Sequence, residues 1–474
     1  KPDPDRYDHK YEYCDVLVVG SGPSGLSSAL SAAKNGARVI LAEDKPRFGG
    51  SLLTDEVTIG NKKGKEWADE TISQLKTMPN VIVKNRAQVF GYYDHNMMVM
   101  AERTKDHLEN PSEFMPRQRL WYIRAKEVVI STGSIERPLV FGNNDRPGIM
   151  LASAAKEYMK VYGVLVGKKP IIFTNNDSGY DVALEFKKNG INPLVVDTRK
   201  DSKSSIIQEA KSLNINIKFS HGVANSEGYK KVKSAIIGKL NKDKTGYEIL
   251  ERISCDCICV SGNWTPTVHL SSQSGNKLKF EEKINAFIPN APRQNESTIG
   301  SASGSFTLKE TLNSGFSKGY ELAKKINNQD IKSSVPTSNE KSYSDHDKFW
   351  CMPLPKSKKY KRCVDFQNDV YVSDIELAIR EGFRSIEHVK RYTTLGMATD
   401  QGRTSNLNGL QLVSSIEKKI VPEVGHTTFR PPFTPVTIGT IVGREVGKHY
   451  RPTRKSPMHE WHKKNNAVFV DAGL

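Results

Sequence analysis

Gly20, Gly22 and Gly25 are spaced as G-x-G-x-x-G, with Ser21, Pro23 and Ser24 between them. Gly20 permits a tight turn, Gly22 lets backbone approach a pyrophosphate, and Gly25 lets a helix pack closely on a strand. Backbone N–H groups at the start of the following helix, Ser24 among them, then face the phosphates. Glu43 stands at the spacing expected for an acid that accepts both ribose hydroxyls. A carboxylate there repels a 2′-phosphate, so NAD or FAD is favoured over NADP. Gly49 and Gly50 form a glycine pair followed by Ser51, and Thr132 and Gly133 form a second small-residue turn.

These residues need elements to hold them. Asp15 to Val19 is an apolar run that reads as a strand, and Leu26 to Ala33 is small and helix-forming. Arg38 to Ala42 reads as a second strand ending at Glu43, and Glu127 to Ser134 as a strand ending in the Thr132–Gly133 turn. The fold class is therefore α/β, with a dinucleotide-binding domain at its start.

A second unit follows. Lys169 to Thr174 reads as a buried strand, Tyr180 to Lys188 as a helix, and Asn192 to Asp197 as a strand ending in an acid. Asn175, Asn176, Asp177, Ser178 and Gly179 stand where a second glycine fingerprint belongs. The first two glycines are gone, and Asp177 would face a pyrophosphate with a negative charge. Both a structural unit without nucleotide and an altered site remain open. Cys255, Cys257 and Cys259 alternate, which predicts three thiols on one strand face. Successive side chains on one face lie nearly 7 Å apart, too far for one tetrahedral zinc, so a buried strand with small thiols is favoured.

Composition narrows the function classes. Four hundred and seventy-four residues suggest two to four domains. No apolar run approaches the roughly 18 residues of a membrane span. The net charge is +17, but Lys and Arg are spread along the chain without interleaved aromatics, which argues against nucleic acid. The six cysteines form no C-x-x-C, so neither a thioredoxin-like redox pair nor a zinc ribbon is supported. A cytoplasmic location with free thiols is expected. The start at Lys1-Pro2-Asp3 reads as the interior of a longer polypeptide.

The last third is different. Residues 331–347 lack periodic apolar positions and read as linker, and Lys356 to Arg362 as a solvated face. Ser373 looks like an N-cap with Glu376 completing a capping box, and a second helix begins at Ser385. Gly402, Arg403, Thr404 and Ser405 at a helix start could grip a phosphate or simply cap a helix. His459 and His462 lie one turn apart, but no third metal ligand is evident.

The region Asp365 to Ser405 resembles a small helical module of amine- and opine-oxidising flavoproteins in which four cysteines hold a [2Fe–2S] cluster. Those four positions here are Asp365, Gln367, Asp400 and Ser405, so no cluster is expected. The paired glycines and the Ser131–Thr132–Gly133 turn resemble the disulfide-reductase-like flavoproteins. Gly300 to Gly304 stands where those proteins often carry a flavin-binding acid, and it is small and neutral here. Residues from Phe433 onward resemble the opening of folate-binding aminomethyltransferase domains. Taken in order, these segments resemble the alpha subunits of heterotetrameric sarcosine oxidases across essentially the whole chain.

The resemblance implies two Rossmann-like dinucleotide domains of the disulfide-reductase-like type plus the small helical module. The implied divisions are a linker over 1–14, a first dinucleotide domain over 15–150 and 263–330, and a second over 151–262. A linker over 331–355, the module over 356–425 and a truncated aminomethyltransferase start over 426–474 complete them. It further implies a complex that oxidatively demethylates sarcosine to glycine, hydrogen peroxide and methylenetetrahydrofolate. An FAD-bearing beta subunit does the amine oxidation, with gamma and delta subunits alongside. NAD would bind at Gly20, Gly22, Ser24, Gly25, Glu43, Gly50, Ser51, Thr132 and Gly133. FMN would sit at the alpha–beta interface near Lys390, Thr393, Thr394, Gln401, Arg403, Thr404 and Ser405, and tetrahydrofolate in a C-terminal part beyond this chain. No catalytic or metal-binding residue is assigned to the chain itself. The alternative is an alpha subunit of a related opine or amino-acid dehydrogenase complex, with FAD in the first fold.

Overall fold

A computed structural model describes residues 5–327, 334–339, 347–354, 360–444 and 454–470. The first fold is built on a mostly parallel sheet. Its strand order is Val81–Lys84, Val39–Ala42, Tyr7–Val19, Gln118–Ile130, Met97–Arg103 and Ala87–Tyr93, and Glu296–Thr298 also pairs with Gln118–Ile130. The first four run parallel, while Met97–Arg103 is antiparallel to both its neighbours. Val16 to Val18 and Val39 to Ala42 are buried throughout, as strands covered on both faces must be.

The opening strand starts at Tyr7, because Tyr7 to Cys14 pair residue by residue with Gln118 to Ala125. The first fourteen residues are therefore not a linker beyond Arg6. The sequence shows only the fully apolar half of this strand. Its outer half alternates, with Tyr11 and Tyr13 exposed.

The glycine-loop helix Pro23–Lys34 is buried over nearly its whole length. It lies between the sheet and the long helix Leu308–Asn327. Small residues make that contact: a Cβ on Gly315 would come 2.4 Å from the Ser24 carbonyl, and one on Gly319 2.3 Å from that of Ser28. Ser31 Oγ donates to the Phe316 carbonyl across the seam at 2.9 Å.

The second fold carries a five-stranded parallel sheet in the order Ile149–Leu151, Cys257–Ser261, Pro170–Thr174, Leu194–Asp197 and Asn216–Phe219. An antiparallel three-stranded sheet ending at Ser254 packs beside it. The cysteine run crosses from that sheet into the parallel one. Cys257 and Cys259 share one hydrophobic cluster, whereas Cys255 lies in another. The three thiols do not share one face, because the chain changes strand between Ser254 and Cys257.

Two short strands, Ser134–Glu136 and Trp264–Pro266, pair where the chain crosses between the folds. Ion pairs strengthen this junction: Lys156 meets Asp55 at 2.7 Å, Lys45 meets Glu157 at 2.9 Å, and Glu56 accepts from Lys160 and Lys188.

The module contains helices Val372–Arg380, Ile386–Thr393 and Asn406–Glu417. The first of these is capped at Tyr371, whose amide donates to Asp374 at 2.8 Å, and not at Ser373 with Glu376. Two boundaries also shift. Phe349 and Met352 are buried in the core of the second fold, so the end of the 331–355 stretch is packed chain. Residues 331–333, 340–346 and 355 of that stretch, 356–359 of the Lys-rich run and 445–453 and 471–474 of the final segment lie outside the described residues. Thr437 and Thr440 bond Gln118 on the first sheet, so 426–444 packs back on the body of the protein and does not open a separate domain. Among the described residues no helix is long and apolar enough to cross a membrane.

Candidate functional site

Gly20 takes a positive φ of 99°, and a Cβ there would lie 2.4 Å from the Ser131 carbonyl. A Cβ on Gly25 would come within 2.0 Å of the Gly20 carbonyl. Both positions therefore admit only glycine. Gly22 differs: nothing lies within 4 Å of where its Cβ would be. The loop is closed on its sheet side and open where a phosphate would approach. Gly50, with φ 56°, folds against it, since its Cβ would sit 2.9 Å from Gly22 Cα. Gly49 N donates to the Ser21 carbonyl at 3.0 Å. Ser51 follows in a short 3-10 turn and is exposed, whereas Ser24 is buried on the helix seam.

Glu43 is 8% exposed at the carboxyl end of its strand. One carboxylate oxygen accepts from Ser21 N at 2.9 Å and Ser21 Oγ at 2.6 Å, and the other from Lys45 N at 3.0 Å. Burial, with Asp44 adding, pushes its carboxyl up to about 7. Ser131 Oγ donates to the Val19 and Gly20 carbonyls, pinning the loop from below. The Thr132–Gly133 turn is held by Thr267, whose hydroxyl donates to Thr132 Oγ1 and whose amide donates to the Gly133 carbonyl. Gly20, Gly22, Gly25, Glu43, Gly50, Thr132 and Gly133 thus gather at one sheet edge. Ser21, Ser131 and Thr267 were missed by the sequence argument. The first two sit beside the assigned glycines and threonine, and their hydroxyls were the available signal.

The second fold closes the equivalent place from within. Arg199 Nη1 bonds Asp177 Oδ1 at 2.8 Å, and Nη2 bonds Asp197 Oδ2 at 2.9 Å. Both aspartates have fully buried side chains. Ser204 Oγ donates to Asp177, and Tyr180 OH to Asp197. Burial works against the charge on Arg199, but the two carboxylates hold its pKa above the ordinary value. The acid of the altered fingerprint and the acid at the strand end therefore share one internal cation.

In the module, the four cluster-like positions converge as a hydrogen-bond knot. Asp365 accepts from Gln367 N at 3.0 Å, Gly396 N at 2.7 Å and Ser405 Oγ at 3.4 Å. Gln367 Oε1 accepts from Asp400 N at 3.2 Å. The proposed FMN-facing residues separate here. Thr394 is exposed, Lys390, Thr393, Gln401 and Thr404 are half-buried, Ser405 is buried on Asp365, and Arg403 turns to Phe433. Among the described residues no three His, Cys, Asp or Glu side chains gather as a metal site.

Comparison with known proteins follows the same divisions. Residues 359–444 match the sarcosine oxidase A3 domain, and residues 15–95 match the FAD dependent oxidoreductase family. A sarcosine oxidase subunit alpha of Rhizobium meliloti (strain 1021) is 38% identical over 480 aligned residues, covering 100% of this chain and 46% of that protein. The chain is a relative of sarcosine oxidase alpha subunits. It spans about half the length of the alpha subunits it matches. Among solved structures, L-proline dehydrogenase from P. horikoshii superposes with a TM-score of 0.67 at 20% identity, covering 92% of this chain and 80% of that one. Thioredoxin reductase of T. acidophilum gives 0.51 at 18% identity, covering 66% and 99%. The fold is thus that of the disulfide-reductase-like flavoproteins, two Rossmann-like units with an added helical module, as the sequence predicted.

Proposed function

We propose that this chain is the nucleotide-holding part of an alpha subunit in a sarcosine-oxidising complex. The complex would demethylate sarcosine to glycine, hydrogen peroxide and methylenetetrahydrofolate in the cytoplasm. An FAD-bearing beta subunit would carry the amine oxidation, with gamma and delta subunits completing the assembly. NAD would occupy the first fold, the second fold would be free of nucleotide, and FMN would be shared with the beta subunit. Tetrahydrofolate would bind in a C-terminal part outside this chain.

The observation that carries the reading is the contrast between the open loop at Gly22, beside Glu43, and the plug at Arg199. Gly20, Gly22 and the amides at the start of the buried helix would take the pyrophosphate. Glu43 would accept the ribose hydroxyls, and Gly50 with Ser51 would close over the phosphates. Bound NAD would supply a hydride acceptor. The chain's own part is to bind and orient it, or to be stabilised by a dinucleotide that never reacts. Lys390, Thr393, Thr394, Gln401 and Thr404, with Ser405 behind them, would face FMN.

A second reading puts FAD in the first fold, as in a related opine or amino-acid dehydrogenase subunit, and the family matched over residues 15–95 favours it. Against it stands the Gly300–Ser303 turn, which carries no acid and packs on Ser24. The test is to denature the purified protein and identify the released dinucleotide by mass spectrometry. Released NAD supports the first reading. Released FAD makes the chain itself flavin-bearing and puts the second ahead.

A further inference from the structure

The segment that follows the module packs on the first fold, with Val436 against Phe90, Val99 and Leu120 and Thr437 on Gln118. Phe433 is buried there, with its ring parallel to the His269 imidazole and 3.9 Å between centroids. Phe429 packs edge-on against Phe433 at 5.5 Å. Arg403 leaves the module and lays its guanidinium on the same Phe433 ring, 4.8 Å from its centroid. His269 comes two residues after Thr267, whose amide donates to the Gly133 carbonyl at 3.0 Å. The stack therefore stands beside the Thr132–Gly133 turn, not on the outer face of the module.

Charge points the same way. Burial lowers the pKa of Arg403, and the groups that oppose this are Asp44, next to Glu43, and Asp400. His269 is pushed down to about 3 by burial, with Arg403 adding, so it is a neutral ring at physiological pH. Among the described residues, Arg403 Nε is buried without a hydrogen-bond partner, and so is His269 Nδ1. A half-buried guanidinium with an orphan N–H lacks an acceptor, and such gaps cost stability unless something fills them. A dinucleotide beside the Thr132–Gly133 turn and Asp44 would bring acceptors in its ribose oxygens, phosphate oxygens and adenine ring nitrogens.

We propose that Arg403 is a ligand of the dinucleotide in the first fold, donating to an acceptor on its adenosine half, with Phe433 and His269 as positioning residues that hold the guanidinium there. The inference rests on the reading that this fold holds NAD. It moves Arg403 from the FMN-facing set to the nucleotide site, and it makes the module a wall of that site.

The test uses the full-length protein with its copurifying subunits. NAD affinity is measured by calorimetry, and FMN content after denaturation. Arg403→Gln should weaken NAD about tenfold to a hundredfold, the range for a hydrogen bond from a charged group. Arg403→Lys should recover part of this, since an ammonium keeps the charge but not the planar donor set. Phe433→Leu should weaken NAD less than Arg403→Gln, with FMN content unchanged in all three variants and the melting temperature unchanged in the two Arg403 variants. Lost FMN with unchanged NAD affinity overturns the proposal. So does a parallel fall in NAD affinity, FMN content and melting temperature, which marks a purely structural role. If the wild type releases FAD and Arg403→Gln depletes it, the NAD reading fails while Arg403 stands. If the wild type holds no dinucleotide, both fail.

Discussion

The two Rossmann-like units share a skeleton and meet the same electrostatic problem in opposite ways. Each ends a strand in a buried acid at its loop, Glu43 in the first and Asp197 in the second. In the first, hydroxyl and amide donors from Ser21 and Lys45 bond the acid, and among the described residues no Lys, Arg or His side chain forms an ion pair with it. In the second, Arg199 is the built-in counter-ion for Asp197 and Asp177 together. The first unit meets its acid with neutral donors, whereas the second uses a cation to hold its two carboxylates together.

The largest effect is expected from breaking the plug. Arg199→Met leaves two buried carboxylates without their cation and should cost about 3–5 kcal/mol, the range for removing one partner of a buried pair. Urea unfolding reads this, and an unchanged midpoint would show that the second unit does not depend on its internal cation. The first unit should respond in binding instead. Glu43→Ala should weaken NAD by about 1.5–3 kcal/mol in calorimetry, as expected for hydrogen bonds to a charged group. Unchanged affinity would remove Glu43 from the ribose site.

The same residue sets a pH dependence. Its pKa of about 7 lies above the ordinary 4.5, so the folded chain keeps this proton where the unfolded chain has lost it. The contribution of Glu43 to stability therefore falls as pH rises from 4.5 to about 7 and is level beyond. NAD affinity should move the other way, rising across about pH 6 to 8 as the carboxylate ionises, and Glu43→Gln should flatten that curve. A wild-type curve that is already flat would mean that the neutral acid binds equally well.

The smallest effect concerns the ion pairs that join the units. Lys160 and Lys188 pull the Glu56 carboxyl down to about 2. Its contribution is then complete above 4.5 and lost as pH falls through about 2. The Glu56 side chain is 53% exposed, so Glu56→Gln should cost no more than about 1 kcal/mol at neutral pH. A larger loss would mean that the units depend on this clasp and not on the paired strands between them.

The first unit was legible because every rule pointed the same way there: apolar strand, glycine spacing, small helix and terminal acid. The outer half of the opening strand was not, because Tyr7 to Cys14 gain their partners from Gln118 to Ala125, more than a hundred residues away. The same distance hid the Arg199 plug. Asp177 stands out in the sequence as a negative charge where a pyrophosphate would sit, but its partner Arg199 lies past the next strand and carries no local signature. The cysteine run misled for the opposite reason: its perfect alternation concealed a change of strand between Ser254 and Cys257. Around Phe433, sequence resemblance suggested the start of a new domain. Its burial against His269 became visible only with tertiary contacts.

The seam of Gly315 and Gly319 against the glycine-loop helix also bears on the order in which the chain can fold during synthesis. The helix Leu308–Asn327 supplies the wall that Ser24 to Ser31 lean on, and it is made nearly three hundred residues after them. The strands of the inserted unit lie between Ile149 and Ser261 and are complete well before that helix leaves the ribosome. Domains fold as units as they emerge. The later half of the nucleotide pair should therefore close first, while the earlier half waits with its small-residue groove open. A nascent chain arrested just short of Leu308 should thus protect the second unit from protease and leave the glycine loop cleavable.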